Sequence, residues 1–195
     1  FMNSTHSNHY FLTDQLKTYP QYLIPQHFLS RLVFKLTRWP GGAITQWTIQ
    51  RFIKHYGIDM SLAQPAEVRE YATFNQFFTR ALHSTARPLA SDGVICPVDG
   101  EISQIGKIEA DRLLQAKGHW FSLEELLGGY ADLAKLFTGG LFCTLYLSPR
   151  DYHRIHIPLT GRLTDMVYVP GKLFSVNQAT TRVVPRLFAR NERVI

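Results

Sequence analysis

The spacing of apolar residues predicts two amphipathic helices near the start of the chain. Between residues 28 and 36, apolar side chains recur at i, i+1, i+4, i+5 and i+8, with basic residues on or beside the other face. Pro25 suits the first position of this helix, and the Trp-Pro-Gly-Gly run at residues 39–42 closes it. A second helix with the same kind of pattern runs from Ile44 and ends at Gly57.

After Gly93 the apolar residues form short runs bounded by turn residues, which is typical of β-strands. Residues 101–108 and 141–147 predict strands, and the second is apolar enough to predict a buried one. A Ser-Leu-Glu-Glu capping box at residues 122–125 predicts a short helix that runs to Gly128-Gly129.

Further strands are expected over residues 161–169 and 173–176. The predicted fold class is therefore α+β, with N-terminal amphipathic helices followed by a β-rich body. Residues 1–20 are expected to be a loose leader, residues 21–57 a basic helical hairpin, and residues 58–195 the body.

Charge is concentrated at the front of the chain. Up to His55 there are six basic residues and one acid, so this quarter carries +5 of the formal +6. A hairpin packed on the body with solvated charges would explain the pattern. So would a hairpin lying in the interface of an anionic bilayer, with its tryptophans at headgroup level. Nucleic-acid binding is not expected, because six basic residues are few and no such motif accompanies them.

Composition excludes several classes of protein. Hydrophobic residues make up 45% of the chain, too many for a disordered polar chain. No apolar run approaches 18 residues, and the first residues lack the apolar stretch of a secretory signal. Cys96 and Cys143 have no metal-type spacing and are expected to be reduced core thiols.

The densest polar cluster lies at residues 150–156 and contains His153 and His156. In a helix these imidazoles would share a face, as in a zinc site, but the preceding strand and Pro158 favour an extended or irregular segment. A structural role for both remains open, and a histidine that transfers protons is favoured because its usual pKa suits that work.

Asp99 lies in a Pro-Val-Asp-Gly turn, where aspartate is common for local hydrogen bonding alone. It could also orient a histidine from another loop, as the carboxylate of a charge-relay triad does. The nucleophile of such a triad is missing, since the sequence contains no Gly-Ser dipeptide and no Gly-x-Ser-x-Gly motif.

Several segments together resemble one family, the bacterial phosphatidylserine decarboxylases. They occur in the family's order and cover most of the chain from about residue 20. The segments are residues 73–80 (TFNQFFTR), 97–100 (PVDG), 115–118 (QAKG) with 121–123 (FSL), 148–158 (SPRDYHRIHIP), 168–171 (YVPG), 175–177 (SVN) and 187–193 (LFARNER).

The resemblance implies a pyruvoyl enzyme that converts phosphatidylserine to phosphatidylethanolamine. In the family, a proenzyme cleaves itself at a Gly-Ser bond, and the serine becomes a covalent pyruvoyl group on a small α chain. Carried over by motif, Asp99 is the relay aspartate and His156 takes the serine hydroxyl proton. His153 matches the histidine that assists decarboxylation.

The lipid substrate favours the membrane interpretation of the hairpin. We expect a peripheral protein on the cytoplasmic face of the cell membrane, in contact with anionic phospholipid. The residues expected to touch the membrane are Phe28, Arg31, Leu32, Lys35, Trp39 and Trp47.

Ile195 comes before the position of the family's Leu-Gly-Ser-Thr segment. The chain is therefore expected to be the front part of the β chain, with residues 58–195 the N-terminal portion of the catalytic domain. The alternatives are a non-catalytic membrane-binding module with the same fold, or a metal-dependent hydrolase using His153, His156 and Asp99.

Overall fold

A computed structural model describes residues 12–116 and 119–195. Within these ranges the chain forms two compact units, each assembled from separate stretches of sequence. The first unit contains residues 12–30, 104–144 and 163–195, and the second contains residues 31–103 and 145–162.

Helices dominate the front of the chain and strands appear after residue 62. The helices are α1 (residues 12–18), α2 (Pro20–Leu23), α3 (Gln26–Thr37), α4 (Ala43–Tyr56), α5 (Phe74–Phe78), α6 (Leu123–Leu126), α7 (Ala131–Lys135), α8 (Gln178–Val183) and α9 (Leu187–Arg190), with a 3-10 turn at Val68–Glu70. The strands are β1 (Ala63–Gln64), β2 (Ala81–Leu82), β3 (Glu101–Lys107), β4 (Arg112–Ala116), β5 (His119–Ser122), β6 (Leu141–Tyr146), β7 (Tyr168–Val169) and β8 (Arg193–Val194).

The strands pair two by two. Among the described residues, β1 pairs with β2, β3 with β6, β4 with β5, and β7 with β8. The β1–β2, β4–β5 and β7–β8 pairs are antiparallel. The predicted α+β class, with helices first and a strand-containing body after them, is confirmed.

The core of the second unit forms where α4 meets the aromatic segment around α5. Ile49, Ile58, Tyr71 and Phe77 are buried together. The helix ends as its sequence predicts, because Gly57 adopts the left-handed conformation (φ 64°) that suits a glycine C-cap. Thr73 begins α5 with a complete capping box, which fixes the direction of the aromatic residues that follow it.

The core of the first unit is built around the β4–β5 hairpin. Its buried residues are Ile108, Leu113, Phe121, Leu123, Leu127 and Ala134. Ser122 starts α6 by accepting a hydrogen bond from the backbone N–H of Glu125, so the predicted helix start is confirmed. The helix itself ends at Leu126, earlier than predicted, and the carboxylate of Glu125 pairs with Arg186 instead of completing the capping box.

A single amide side chain joins the β4–β5 hairpin to the C-terminal helices. Gln115 is 1% exposed and donates from Nε2 to the carbonyls of Thr181 and Val184, both at 2.8 Å. Its Oε1 accepts from the backbone N–H of Leu187 at 2.6 Å. The side chain therefore satisfies three buried backbone groups at the ends of α8 and α9.

The leader predicted over residues 1–20 is not loose where the structure describes it. Residues 12–18 are helical, and the buried Asp14 accepts a hydrogen bond from Arg182 Nε at 2.7 Å. Further along, Gln21 Oε1 accepts from the backbone N–H of Ser175 at 2.9 Å. The composition of the leader is polar, but Asp14 has its partner in α8, and Gln21, just after the leader, has one in the segment before α8. Residues 1–11 lie outside the described part of the chain.

The predicted strand at residues 141–147 forms as β6, but it is not buried. Leu141 is 76% exposed, and no residue of the strand is buried. In the part of the chain that the structure describes, β3 is the one partner strand of β6, so neither face of the pair is fully covered. Only Tyr168–Val169 is a strand within residues 161–169, and residues 173–176 contain none.

The two cysteines are free but exposed, so the prediction of core thiols is wrong. Cys143 lies in β6 and is exposed like other residues of that strand. Cys96 lies in an extended loop, where its thiol donates to the carbonyl of Val98 at 3.1 Å. Apolar neighbours in the sequence indicated burial, but these neighbours are not covered by other described residues.

Gln115→Leu is expected to destabilise the protein by about 3 kcal/mol or more, because each buried backbone group left without a partner costs about 1–3 kcal/mol. Chemical denaturation followed by circular dichroism measures the change in the free energy of unfolding. Gln178→Leu, at an exposed position of α8, is the matched control and should change it little. Equal stability of the Gln115 variant and the wild type would contradict the role assigned to this side chain.

Candidate active site

The candidate site lies in the second unit, on the irregular segment 148–158 that follows β6. Asp151 shapes the start of this segment. Its Oδ2 accepts from the backbone N–H of Ser148 at 2.6 Å and from the Ser148 hydroxyl at 2.8 Å, while its own N–H donates to the Ser148 carbonyl. This tight turn changes the direction of the chain after β6, and the two histidines follow it. The segment is not helical, as predicted.

His153 is held on two sides. Its Nδ1 lies 2.9 Å from the carbonyl of Asp151, and its ring packs on Phe78 with 4.1 Å between ring centroids. A carbonyl can only accept, so Nδ1 carries the proton of this bond, and Nε2 is the nitrogen left for other chemistry. Phe78 belongs to α5, so the capping box at Thr73 helps to set the orientation of this imidazole.

His156 is held by Tyr152, which lies four residues earlier in the same irregular segment. The Tyr152 hydroxyl lies 3.0 Å from His156 Nε2, and the two rings stack with 5.6 Å between centroids. Tyr152 is 8% exposed, whereas His156 is exposed. A buried phenol therefore anchors an imidazole that remains accessible.

Two backbone hydrogen bonds join this segment to the loop that carries Asp99. The N–H of His156 donates to the carbonyl of Pro97 at 2.9 Å, and the N–H of Ile95 donates to the carbonyl of Pro158 at 3.1 Å. These bonds, which we call the loop clasp, bring stretches about sixty residues apart side by side. Both proposed histidines and the proposed aspartate thereby lie on two adjoining loops of one unit.

Asp99 is paired with an arginine. Arg87 Nε lies 3.0 Å from each carboxylate oxygen of Asp99, and Arg87 Nη2 donates to Oδ2 as well. Donation to this carboxylate raises the pKa of Arg87 above its usual value. The following residue must be glycine, because a Cβ at Gly100 would lie 2.6 Å from the carbonyl oxygen of Tyr146.

The side chains of Asp99 and His156 do not hydrogen-bond to each other among the described residues. The carboxylate is bound to Arg87 and the imidazole to Tyr152. The sequence predicted the three site residues but not Arg87, Tyr152 or Phe78, the side chains that hold them. Tyr152 could have been found from its place inside the polar cluster, whereas Arg87 and Phe78 carry no such signal.

The residues expected to contact a membrane are all exposed or partly exposed. No residue of α3 is buried, and Phe28, Trp39 and Trp47 are 69%, 52% and 59% exposed. Leu32, Arg31 and Lys35 are also exposed. The guanidinium of Arg38 lies 3.7 Å from the centroid of the Phe34 ring, so cationic and aromatic groups share this surface.

Within residues 12–116 and 119–195, no helix is both long and apolar enough to cross a membrane. In the same ranges, no group of three or more histidine, cysteine, aspartate or glutamate side chains is placed to hold a metal ion.

Comparison with known proteins gives the same family across almost the whole chain. The family model described as "Phosphatidylserine decarboxylase" matches residues 74–195, and a second, described as "PSD", matches residues 16–57. Curated relatives named "Phosphatidylserine decarboxylase proenzyme" occur in Delftia acidovorans, Herminiimonas arsenicoxydans and Azoarcus sp.; each is 54% identical over 184 residues.

The matched region is 94% of this chain and 65%, 63% and 64% of those relatives, respectively. The chain thus spans a little under two thirds of their length. On the family match and these identities, the chain belongs to the phosphatidylserine decarboxylase family.

Proposed function

We propose that the complete protein decarboxylates phosphatidylserine to phosphatidylethanolamine, using a pyruvoyl group that it makes by cleaving itself. The observation that carries the proposal is the loop clasp, which places Asp99, His153 and His156 on two adjoining loops. The name of the relatives, a decarboxylase proenzyme, supports both the reaction and the processing.

The two histidines of the candidate site suit the chemistry of a group derived from serine. Self-cleavage needs a base for a serine hydroxyl, and decarboxylation needs a proton donor for the α-carbon, and the two imidazoles can supply these. A pyruvoyl group supplies an electron sink for the electron pair left by departing CO2. No Gly-Ser dipeptide occurs in the 195 residues, so we place the serine outside them.

His156 is the proposed base for self-cleavage. It is accessible, and Tyr152 fixes its ring through Nε2. To take a proton through Nε2, the imidazole must exchange the tyrosine hydroxyl for the serine hydroxyl. Asp99, on the adjoining loop, would stabilise the resulting imidazolium after releasing Arg87, as a relay carboxylate does.

His153 is the proposed proton donor during turnover. The carbonyl of Asp151 fixes Nδ1, and Phe78 covers one face of the ring, so only Nε2 is available to substrate. With its Nδ1–H held by this carbonyl, the ring donates as an imidazolium, which delivers its Nε2 proton to a defined atom and returns to the neutral form.

The proposed site of membrane contact is the exposed surface of α3 and α4. Exposed phenylalanine and tryptophan side chains beside basic residues suit the interface of an anionic bilayer. We propose that the protein binds peripherally at the cytoplasmic face of the membrane, where its lipid substrate lies.

The proposed partner chain is a small α chain that carries the pyruvoyl group. The apolar residues Ile102, Ile105 and Leu141 of β3 and β6 are exposed, and a further β segment could cover them. The word "proenzyme" in the relatives' name supports a processed, two-chain form.

His156→Ala in the full-length protein is expected to leave a single uncleaved chain, because the proposed base for the serine hydroxyl is lost. Intact mass spectrometry distinguishes one chain from two. His83→Ala, at an exposed histidine whose side chain makes no hydrogen bond or ion pair with the described residues, is the control and should process normally. Normal cleavage of the His156 variant would remove this residue from the relay.

His153→Ala is expected to permit cleavage but to lower decarboxylation, by about 10²–10⁴-fold if it acts as a general acid. Release of CO2 from phosphatidylserine, measured on protein already shown to be processed, tests this. Full turnover by the processed variant would reject the assignment.

Reversing the charges of Arg31, Lys35 and Arg38 to glutamate is expected to weaken binding to anionic vesicles by at least about 100-fold. Each basic residue near such a surface contributes about 1 kcal/mol, and the new acids add repulsion. Trp39→Ser with Trp47→Ser should also reduce binding. Flotation with phosphatidylserine-containing liposomes measures both.

The matched controls for the membrane experiment are Arg69, Lys107 and Arg162 changed to glutamate, and Trp120→Ser, all at exposed positions outside α3 and α4. If test and control variants bind equally, the membrane surface is placed wrongly.

A further inference from the structure

A cavity of about 190 Å³ lies in the second unit next to Asp99. Three arginines line it, Arg80, Arg87 and Arg150, together with Asp99, Asp151 and Tyr152. The volume corresponds to several water molecules at about 30 Å³ each, enough for one tetrahedral anion and part of what it is attached to.

Arg80 is the unusual member of this group. It is 5% exposed, its Nε has no hydrogen-bond partner, and no carboxylate among the described residues pairs with it. The ring of Phe77 lies 5.3 Å from its guanidinium carbon, and Tyr71 is a further aromatic neighbour. Burial lowers the pKa of Arg80 below its usual value. Arginine does not give up its proton in proteins, so a buried guanidinium requires an anion.

The carboxylates around the cavity already have other partners. Asp99 is bound by Arg87, and Asp151 Oδ2 accepts two hydrogen bonds from Ser148. Asp59, on the exposed rim, accepts from the backbone N–H of Ser61. No described carboxylate pairs with Arg80, so its guanidinium is available to an anion from outside the described residues.

Arg150 can move toward such an anion. Its two ion-pair distances, to Asp151 and to Glu101, are both 3.6 Å, longer than the 2.7–2.9 Å or so of a strong charged hydrogen bond. Its side chain is mostly exposed. Arg80 is buried, whereas Arg150 is mostly exposed and loosely paired at the same cavity, so both guanidinium groups can donate to one ligand.

We infer that this cavity binds the phosphate of the phospholipid headgroup, with Arg80 as its principal ligand; this rests on the proposed function. The substrate offers two anions, a phosphate and a carboxylate. The carboxylate loses its charge when it leaves as CO2, so an arginine that gripped it would stabilise the ground state and slow the reaction. The phosphate keeps its charge throughout and can be held without that penalty.

Isothermal titration calorimetry on the full-length protein tests the inference with soluble probes. Glycerophosphoethanolamine carries the phosphodiester without a carboxylate, L-serine carries the carboxylate without phosphate, and inorganic phosphate tests for a free-anion site. Arg80→Gln should weaken glycerophosphoethanolamine binding by about 10–100-fold, as expected for loss of hydrogen bonds to a charged group. Arg69→Gln, the same change at an exposed position of the same unit, is the control.

Arg150→Gln provides a second variant that should fold normally, because this side chain is mostly exposed. It should weaken the same probe less, by up to about 5-fold, as for a partly exposed charge pair. In decarboxylation assays, the Arg80 variant should raise KM with little change in kcat, because phosphate binding is equal in ground and transition states.

Arg80-dependent binding of glycerophosphoethanolamine but not of L-serine supports the headgroup phosphate. Arg80-dependent binding of inorganic phosphate alone would make the site one for a free anion and overturn the assignment to lipid. Arg80-dependent binding of L-serine alone would also overturn it. So would the absence of any effect of Arg80→Gln on the binding of the three probes, as expected if another part of the full-length chain pairs with Arg80. The titration needs no turnover, so the two proposals can fail separately. Arg80-dependent binding of the phosphodiester by a protein that does not decarboxylate phosphatidylserine would support this site and contradict the proposed function.

Discussion

The candidate site depends on the loop clasp, the pair of backbone hydrogen bonds between residues 95–97 and 156–158. It joins the loop of Asp99 directly to the backbone of the segment that carries the two histidines. The clasp uses main-chain atoms only, so the side chains of these loops stay free for other contacts. Tyr152, Arg87 and Phe78 then set the orientation of His156, Asp99 and His153, respectively.

The sequence was most informative where local rules decide the structure. The apolar spacing of α3 and α4 and the glycine after Tyr56 predicted both helices and the end of the second. Burial was harder to predict, because it depends on which other segments of the chain pack against a given residue. Residues 141–147 are as apolar as a core strand, yet Leu141 is exposed, and the polar leader proved to contain a packed helix with Asp14 buried.

The site residues were predicted from motifs, but their partners were not. The choice of Arg87 as the partner of Asp99 follows from how residues 87 and 99 meet in space, and spacing along the chain does not encode it. Arg80 shows the same limit. Residues 73–80 carry part of the family resemblance, and only the fold shows that the guanidinium of Arg80 is buried with no described carboxylate paired to it.

The close approach of Gly100 to the carbonyl of Tyr146 has a consequence for mutational tolerance. Any side chain at position 100 would push the Asp99 turn away from the end of β6, which leads directly into segment 148–158. The aspartate and the histidines would then shift relative to each other with all their own atoms intact. A saturation mutagenesis screen would therefore score position 100 like a chemically active residue, although glycine has no side chain with which to react.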